Sequence, residues 1–165
     1  MFRCVTAIMC FALSAPAIAG PVLWQNVEAG MPAEKLKELY PEANGSPRVR
    51  WKKSGISLQN YPVGGCIADI QVATDRPMVD EMSVVKSVDL QGYGCAGATF
   101  NALVEKYGPP LDSETDRYSA PMPYNDKTRR AIWRDGEKTI RFKSERGGLV
   151  SLWYLKYALA SDLGL

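Results

Sequence analysis

Short runs that alternate between apolar and polar residues dominate the second half of this chain. In one run, Ile140 and Phe142 fall on the same side. The polar residues Arg141 and Lys143 fall on the opposite side. This alternation is typical of a strand in a sheet with one solvent-exposed face. The last run, residues 149–157, is apolar on both sides and indicates a central strand. The pattern therefore predicts an antiparallel sheet.

Two segments have helical spacing instead. In the first, Leu36 and Tyr40 share a face and Pro41 ends the helix. In the second, Leu103 and Tyr107 share a face, and a glycine followed by two prolines prevents continuation. We therefore expect an α+β fold in which helices pack on one face of an antiparallel sheet.

The segments after the two helices match in order. Each contains a tryptophan (Trp51 or Trp133), a turn, an alternating strand and a further strand. This order predicts two tandem α-β-β-β units, residues 20–91 and 92–165, with an insertion in the second around residues 112–129. The alternatives are a chance match and a single merged domain.

The first 19 residues have the pattern of a signal peptide. A short start containing Arg3 precedes an apolar run at residues 4–13, and Ala17 and Ala19 form a cleavage site before Gly20. The run is shorter than the roughly 20 residues that a membrane span needs. Cys10 follows the bulky Met9, which disfavours lipidation. We expect a periplasmic protein with neither a membrane span nor a lipid anchor.

The predicted mature chain contains two cysteines, Cys66 and Cys95. An even pair in an exported chain indicates a disulfide bond, and the glycines beside both residues allow the backbones to approach closely. A catalytic or redox thiol is the alternative. It is disfavoured because there is neither a C-x-x-C motif nor a histidine to activate a thiolate.

Composition narrows the possible chemistry further. The chain has no histidine, which excludes Ser-His and Cys-His nucleophile pairs and imidazole metal ligands. Its net charge of +2 indicates no nucleic-acid partner. Residues 92–97 spell G-x-G-x-x-G, but no second buried strand follows the helix, so a glycine-rich turn is favoured over a dinucleotide site.

Carboxylates offer two further interpretations. Asp112, Glu114 and Asp116 resemble the start of a calcium loop, but later positions of that motif do not match, which favours a solvated acidic loop. Paired carboxylates could also act in a small hydrolase. The candidates for that role are Asp69, Asp75, Asp80 and Glu81. We predict no catalytic, cofactor-binding or metal-binding residue.

The insertion is the candidate interface. Tyrosine, methionine and arginine are enriched where proteins bind one another, and proline limits the entropy lost on binding. The predicted interface residues are Tyr118, Met122, Tyr124, Arg129 and Arg130. A surface loop without a partner is the alternative.

The helix ends also carry a resemblance. Gly30-Met31 begins the first helix, Tyr40-Pro41 ends it, and Tyr107-Gly108-Pro109-Pro110 ends the second. These motifs resemble those of the small envelope modules of the BamE/SmpA type, and two such units in tandem are similar to the β-lactamase inhibitor protein family. Known BamE-type proteins are lipoproteins, so the lack of a lipidation cysteine is a departure. The resemblance implies a protein-binding module.

Together these features predict a non-catalytic periplasmic protein-binding module that assists envelope assembly, or that inhibits or escorts a secreted protein. Its partner would be another envelope or secreted protein. The alternative is a small secreted enzyme or ligand carrier that uses carboxylates in a cleft.

Overall fold

The computed structural model describes residues 20–41, 49–63, 65–117, 127–147 and 150–163. Within them, the elements run in the following order: β1 (Val22–Trp24), β2 (Val27–Glu28), α1 (Ala33–Leu39), β3 (Val49–Lys52), β4 (Gly55–Val63), β5 (Cys66–Thr74), β6 (Val85–Tyr93), α2 (Ala96–Tyr107), β7 (Asp112–Arg117), β8 (Lys127–Asp135), β9 (Lys138–Gly147), β10 (Val150–Leu159) and a 3-10 helix (Ser161–Leu163).

The predicted α+β class, with helices packed on one face of the sheet, is wrong: the protein is mostly β. Strands account for 55% of the residues. Helix α1 has only seven residues, because Pro32 precedes it and Pro41 follows it within one turn of its end. Strands β4, β5 and β6 have nine residues each, so the strands outweigh the helices.

The main sheet has eight strands among the described residues, in the order β3-β4-β5-β6-β10-β9-β8-β7, and all neighbours are antiparallel. Helix α1 is followed by the meander β3 to β6, and α2 by the meander β7 to β10. The last strands of the two meanders, β6 and β10, pair at the centre. The predicted central position of the final strand is therefore confirmed. The division into units at residue 92 stays a prediction, and this position lies inside β6.

One face of the sheet carries the core. Trp133, Trp153 and Ile140 are fully buried on it. Leu36 of α1 and Leu103 of α2 are buried in the same core. The indole Nε1 of Trp133 donates a hydrogen bond to the carbonyl of Gly108 at 2.9 Å, which ties the end of α2 to the sheet. Packing on this face leaves the other face for polar residues.

The segment predicted as a solvated acidic loop is instead edge strand β7. Asp112 pairs with Ile132, and Ser113 pairs with Ala131. An edge strand needs no apolar face, because hydrogen bonds to its neighbour satisfy the backbone groups on one side and water those on the other. Strand β7 therefore extends the polar face past β8.

Candidate functional site

The polar face of the sheet contains a candidate binding site. A groove of about 620 Å³ crosses seven neighbouring strands, β3, β4, β5, β6, β10, β9 and β8. We call it the polar groove. Its volume lies within the range of ligand-binding clefts, roughly 300–1,000 Å³. The alternation of the strands supplies its side chains, because every second residue points away from the core.

The first row of side chains in the polar groove changes from neutral to acidic to basic. Ser57 on β4 lies opposite Gln71 on β5, and Gln71 lies opposite Asp89 on β6. Asp89 lies opposite Lys156 on β10, which in turn lies opposite Arg141 on β9. Charge therefore reverses at the centre of the sheet.

A second row runs parallel to the first. Asp69 on β5 lies opposite Gln91 on β6, and Gln91 lies opposite Tyr154 on β10. Tyr154 lies opposite Lys143, which lies opposite Arg130 on β8. Arg130 in turn lies opposite Glu114 on the edge strand β7. The aromatic ring thus lies between glutamines and cations.

Four cations from these rows form what we call the cationic block: Arg130, Arg141, Lys143 and Lys156. Two of its pairs, Lys156 with Arg141 and Lys143 with Arg130, lie directly opposite each other on neighbouring strands. Like charges in this position destabilise a sheet. An arrangement that costs stability is a candidate for function, and its chemistry fits an anion.

The lysines of the cationic block have partial partners. Lys156 Nζ lies 3.4 Å from Asp89 Oδ1, and Lys143 pairs with Glu145 on its own strand. Both lysines are nearly half exposed, so these pairs contribute little to stability and leave room for a ligand.

Arg141 is the most constrained member of the cationic block. Its Nη2 donates a hydrogen bond to the carbonyl of Leu163 at 3.2 Å. Its Nε is buried and has no hydrogen-bond partner among the described residues. The guanidinium is therefore partly desolvated beside a neutral acceptor, which favours an incoming negative charge.

The two carboxylates of the polar groove have structural partners. Asp89 Oδ2 accepts a hydrogen bond from Ser87 Oγ at 2.8 Å. Asp69 Oδ1 accepts one from the backbone N–H of Asn60 at 2.9 Å, where the strand adopts a positive φ of 54°. These bonds give both acids a role in shaping the sheet.

The remaining acidic candidates shape the loop between β5 and β6. Asp75 Oδ1 accepts a hydrogen bond from the N–H of Val84, and Asp80 Oδ1 accepts one from that of Met82, both at 2.9 Å. Glu81 lies exposed in the same loop. In the part of the chain that the structure describes, no three His, Cys, Asp or Glu residues are grouped to hold a metal ion.

The predicted disulfide partners lie together. Cys66 is buried at the start of β5, and Cys95 is exposed immediately before α2. Both are thiols here, and their side chains form a hydrogen bond, with a second bond joining Cys66 to Thr99. Burial raises the pKa of the Cys66 thiol, and Cys95 adds to the effect. The disulfide itself stays a prediction.

The predicted interface residues do not form one surface. Tyr118, Met122 and Tyr124 lie outside the described residues. Arg129 stacks on the core side, with its guanidinium carbon 4.2 Å from the centre of the Phe100 ring. Its neighbour Arg130 lines the polar groove. Strand alternation separates the two arginines.

The glycine motif has a packing role. Gly92 lies in β6, and a Cβ atom at this position would overlap the indole of Trp153. Gly94 adopts a positive φ of 67° in the turn that leads to α2. Gly94 thus lies in a turn, as predicted, whereas Gly92 lies within a strand and accommodates a core tryptophan.

Sequence reasoning missed the cationic block as a unit. The available signal was the exposure of Arg141 and Lys143 on the polar side of an alternating strand. Their juxtaposition with Lys156 and Arg130 depends on cross-strand register, which no single run reveals.

Fold and site together define a mostly-β protein with a charged, open sheet face. No protein-family model, curated protein or solved structure matches the chain. The resemblance to BamE/SmpA modules therefore stays a prediction. No helix in the described ranges is long and apolar enough to cross a membrane.

Proposed function

We propose that this protein is a non-catalytic binding module of the bacterial envelope that holds a partner protein in the polar groove. The main supporting observation is the pair of Lys156 and Arg141 in the cationic block, two like charges that lie opposite each other on neighbouring strands. A purely structural sheet face would be expected to place opposite charges there. A partner that supplies negative charge would compensate for this repulsion.

The residue types in the polar groove also favour a protein partner. Tyr154 lies at its centre and Arg130 at one end, and both residue types are enriched at protein interfaces. Residues 118–126 connect β7 to β8, which carries Arg130. Contact between Tyr118, Met122 or Tyr124 and the same partner is an extension of this proposal.

Site-specific photo-crosslinking tests this function in the native envelope fraction. A benzophenone amino acid replaces Gln71 in the polar groove or, as the control, Lys35 on the exposed side of α1. We expect a discrete crosslinked partner from position 71 and not from position 35. Equal products from both positions, or none from position 71, would contradict the proposal.

Charge-reversal variants test whether the contact with the partner depends on the charge of the cationic block. Lys143→Glu reverses one charge in the cationic block, and Lys35→Glu makes the same change outside it. We expect the first variant to lose the crosslink at position 71 and the second to keep it. Circular dichroism of both variants verifies that they fold.

A ligand carrier is the second candidate, because the volume of about 620 Å³ suits a small molecule and two carboxylates line the groove. Native mass spectrometry of protein purified from the envelope separates the two functions. A bound small molecule that Lys143→Glu abolishes would favour the carrier.

A further inference from the structure

We propose that the polar groove binds an extended acidic segment of its partner, with the carboxylates over the cationic block and the backbone over the glutamines. This inference rests on the proposed function and names the chemistry that the site recognises. Four observations support this inference: the net charge of the groove, the environment of Arg141, the length of the groove and its neutral side chains.

Net charge is the first observation. Five cations line the groove: Lys52, Arg130, Arg141, Lys143 and Lys156. Two carboxylates, Asp69 and Asp89, line it as well. The whole chain carries a net charge of only +2, so the positive excess concentrates in the groove rather than over the entire surface. A negatively charged ligand is attracted to this face.

Arg141 supplies the second observation. Its Nη2 faces a neutral carbonyl, and its Nε is buried without an acceptor in the part of the chain that is described. Removal of water strengthens the attraction between a guanidinium and an anion. A carboxylate that reaches Arg141 from the groove would thus gain more than one beside a fully hydrated lysine, and its planar geometry suits the guanidinium.

The third observation is length. Seven neighbouring strands at a spacing of about 4.8 Å give a groove about 29 Å long. An extended peptide advances roughly 3.3 Å per residue, so about nine residues would cover this distance. A single carboxylate or phosphate ion would occupy the cationic end alone.

The neutral side chains are the fourth observation, and they favour a peptide over other polyanions. Gln91 lies between Asp69 and Tyr154, and Gln71 lies between Ser57 and Asp89; each amide can donate to a peptide C=O and accept from a peptide N–H. A nucleic acid or polyphosphate chain carries negative charge along its whole length. Asp69 and Asp89 would repel such a chain where it crosses β5 and β6.

Fluorescence anisotropy on the mature protein tests this inference. The probe is a labelled peptide of about nine residues with glutamates at alternate positions in one half only, and its control has glutamine in their place. We expect the glutamate peptide to bind at least about tenfold more tightly. Its affinity should also fall as NaCl rises from about 50 to about 300 mM. Equal affinity for both peptides would overturn the inference.

Substitutions in the groove test which side chains are responsible for the higher affinity for the glutamate peptide. Arg141→Gln and Lys143→Gln should each lower the affinity for the glutamate peptide about tenfold and leave the glutamine peptide unaffected. Lys35→Gln, on α1, is the matched control and should change neither affinity. Loss of affinity for both peptides in a folded Arg141→Gln variant would contradict a carboxylate site.

Competition distinguishes the sources of negative charge. Inorganic phosphate, polyphosphate and an oligonucleotide are added at matched total charge, and we expect each to displace the glutamate peptide less effectively than unlabelled peptide does. Equal or stronger displacement by any of them would overturn the assignment to an acidic peptide. If the peptide does not bind but position 71 still crosslinks its partner, this inference fails and the proposed function stands. If both experiments fail, both fall.

Discussion

Two buried threonines of the main sheet differ in the partners of their hydroxyl groups. Thr139 Oγ1 is fully buried and has no hydrogen-bond partner in the described residues. Thr74 Oγ1 donates to the carbonyl of Arg76 at 2.7 Å. A buried hydroxyl without a partner costs free energy, whereas a bonded one contributes to stability.

This difference predicts opposite effects of the same substitution. Thr139→Val removes an unpaired polar atom from a strand and should raise the free energy of unfolding by about 1 kcal/mol. Thr74→Val, the matched control, removes a hydrogen bond and should lower it by about 1 kcal/mol. Urea denaturation measures both. A destabilised Thr139→Val variant would show that the hydroxyl has a partner.

Because the hydroxyl of Tyr157 is buried, we predict that the protein loses stability in alkali. Burial raises the pKa of its hydroxyl far above the ordinary value of about 10, and Tyr107 adds to the effect through its proximity and a side-chain hydrogen bond. Above about pH 10 the unfolded chain ionises this tyrosine and the folded chain does not. The unfolded state then binds fewer protons, so the free energy of unfolding falls as pH rises.

The variant Tyr157→Phe isolates this contribution. Between about pH 9 and 11, its free energy of unfolding should fall less steeply than that of the wild type, by up to about 1.4 kcal/mol per pH unit. At neutral pH the tyrosine is not ionised in either state, so the difference in the free energy of unfolding between the two proteins measures only the lost packing and hydrogen bond. This difference is subtracted before the slopes are compared. Identical slopes would mean that Tyr157 ionises equally in both states.

At the scale of elements, the start of α2 depends on its cysteine. Cys95 adopts a left-handed conformation at φ 53°, and no side chain caps the helix there. Its hydrogen bond to Cys66 connects α2 to the beginning of β5. A disulfide between them would make this connection covalent and close a loop of about 30 residues.

We predict that the exported protein contains this disulfide. Denatured native material should yield no titratable thiol, and reduction should lower the free energy of unfolding by about 3 kcal/mol. The double variant Cys66→Ser/Cys95→Ser is the control and should be insensitive to reductant. Two titratable thiols in protein from the envelope would contradict both the disulfide and the oxidising compartment.

The elements also show what local sequence patterns can predict. The β3–β4 hairpin and the central β10 were predictable, because turn residues and apolar alternation mark them locally. Strand β7 was not, because Asp112–Arg117 has no apolar face and forms by pairing with the edge of β8. The class prediction failed for a related reason: four strands follow each helix, where the sequence predicted three.

The candidate site was less predictable than the fold. Arg130 was singled out, but for its place in the insertion rather than in a groove. Gln71, Asp89 and Lys156 become neighbours only through the pairing of β5 with β6 and of β6 with β10. The second pairing joins residues that are far apart in the sequence, such as Asp89 and Lys156, and no local pattern encodes such a register.

The whole molecule has one continuous core despite its two meanders. Ile56 and Ile70 from the first meander belong to the same buried cluster as Ile140 and Trp153 from the second. Strands β6 and β10 join the two meanders through seven residue pairs, from Leu152 with Tyr93 to Ala158 with Ser87. Separation of the meanders would expose the edges of both central strands and part of the core.

This continuity predicts a single unfolding transition for residues 20–165. Trp51 lies in the first meander, and Trp133 and Trp153 lie in the second. Urea transitions followed by tryptophan fluorescence and by circular dichroism should therefore coincide. Ile70→Val and Ile140→Val, one in each meander, should shift the entire transition by about 1 kcal/mol. Two separate transitions, or a substitution that moves only one probe, would show that residues 20–91 and 92–165 fold as independent units.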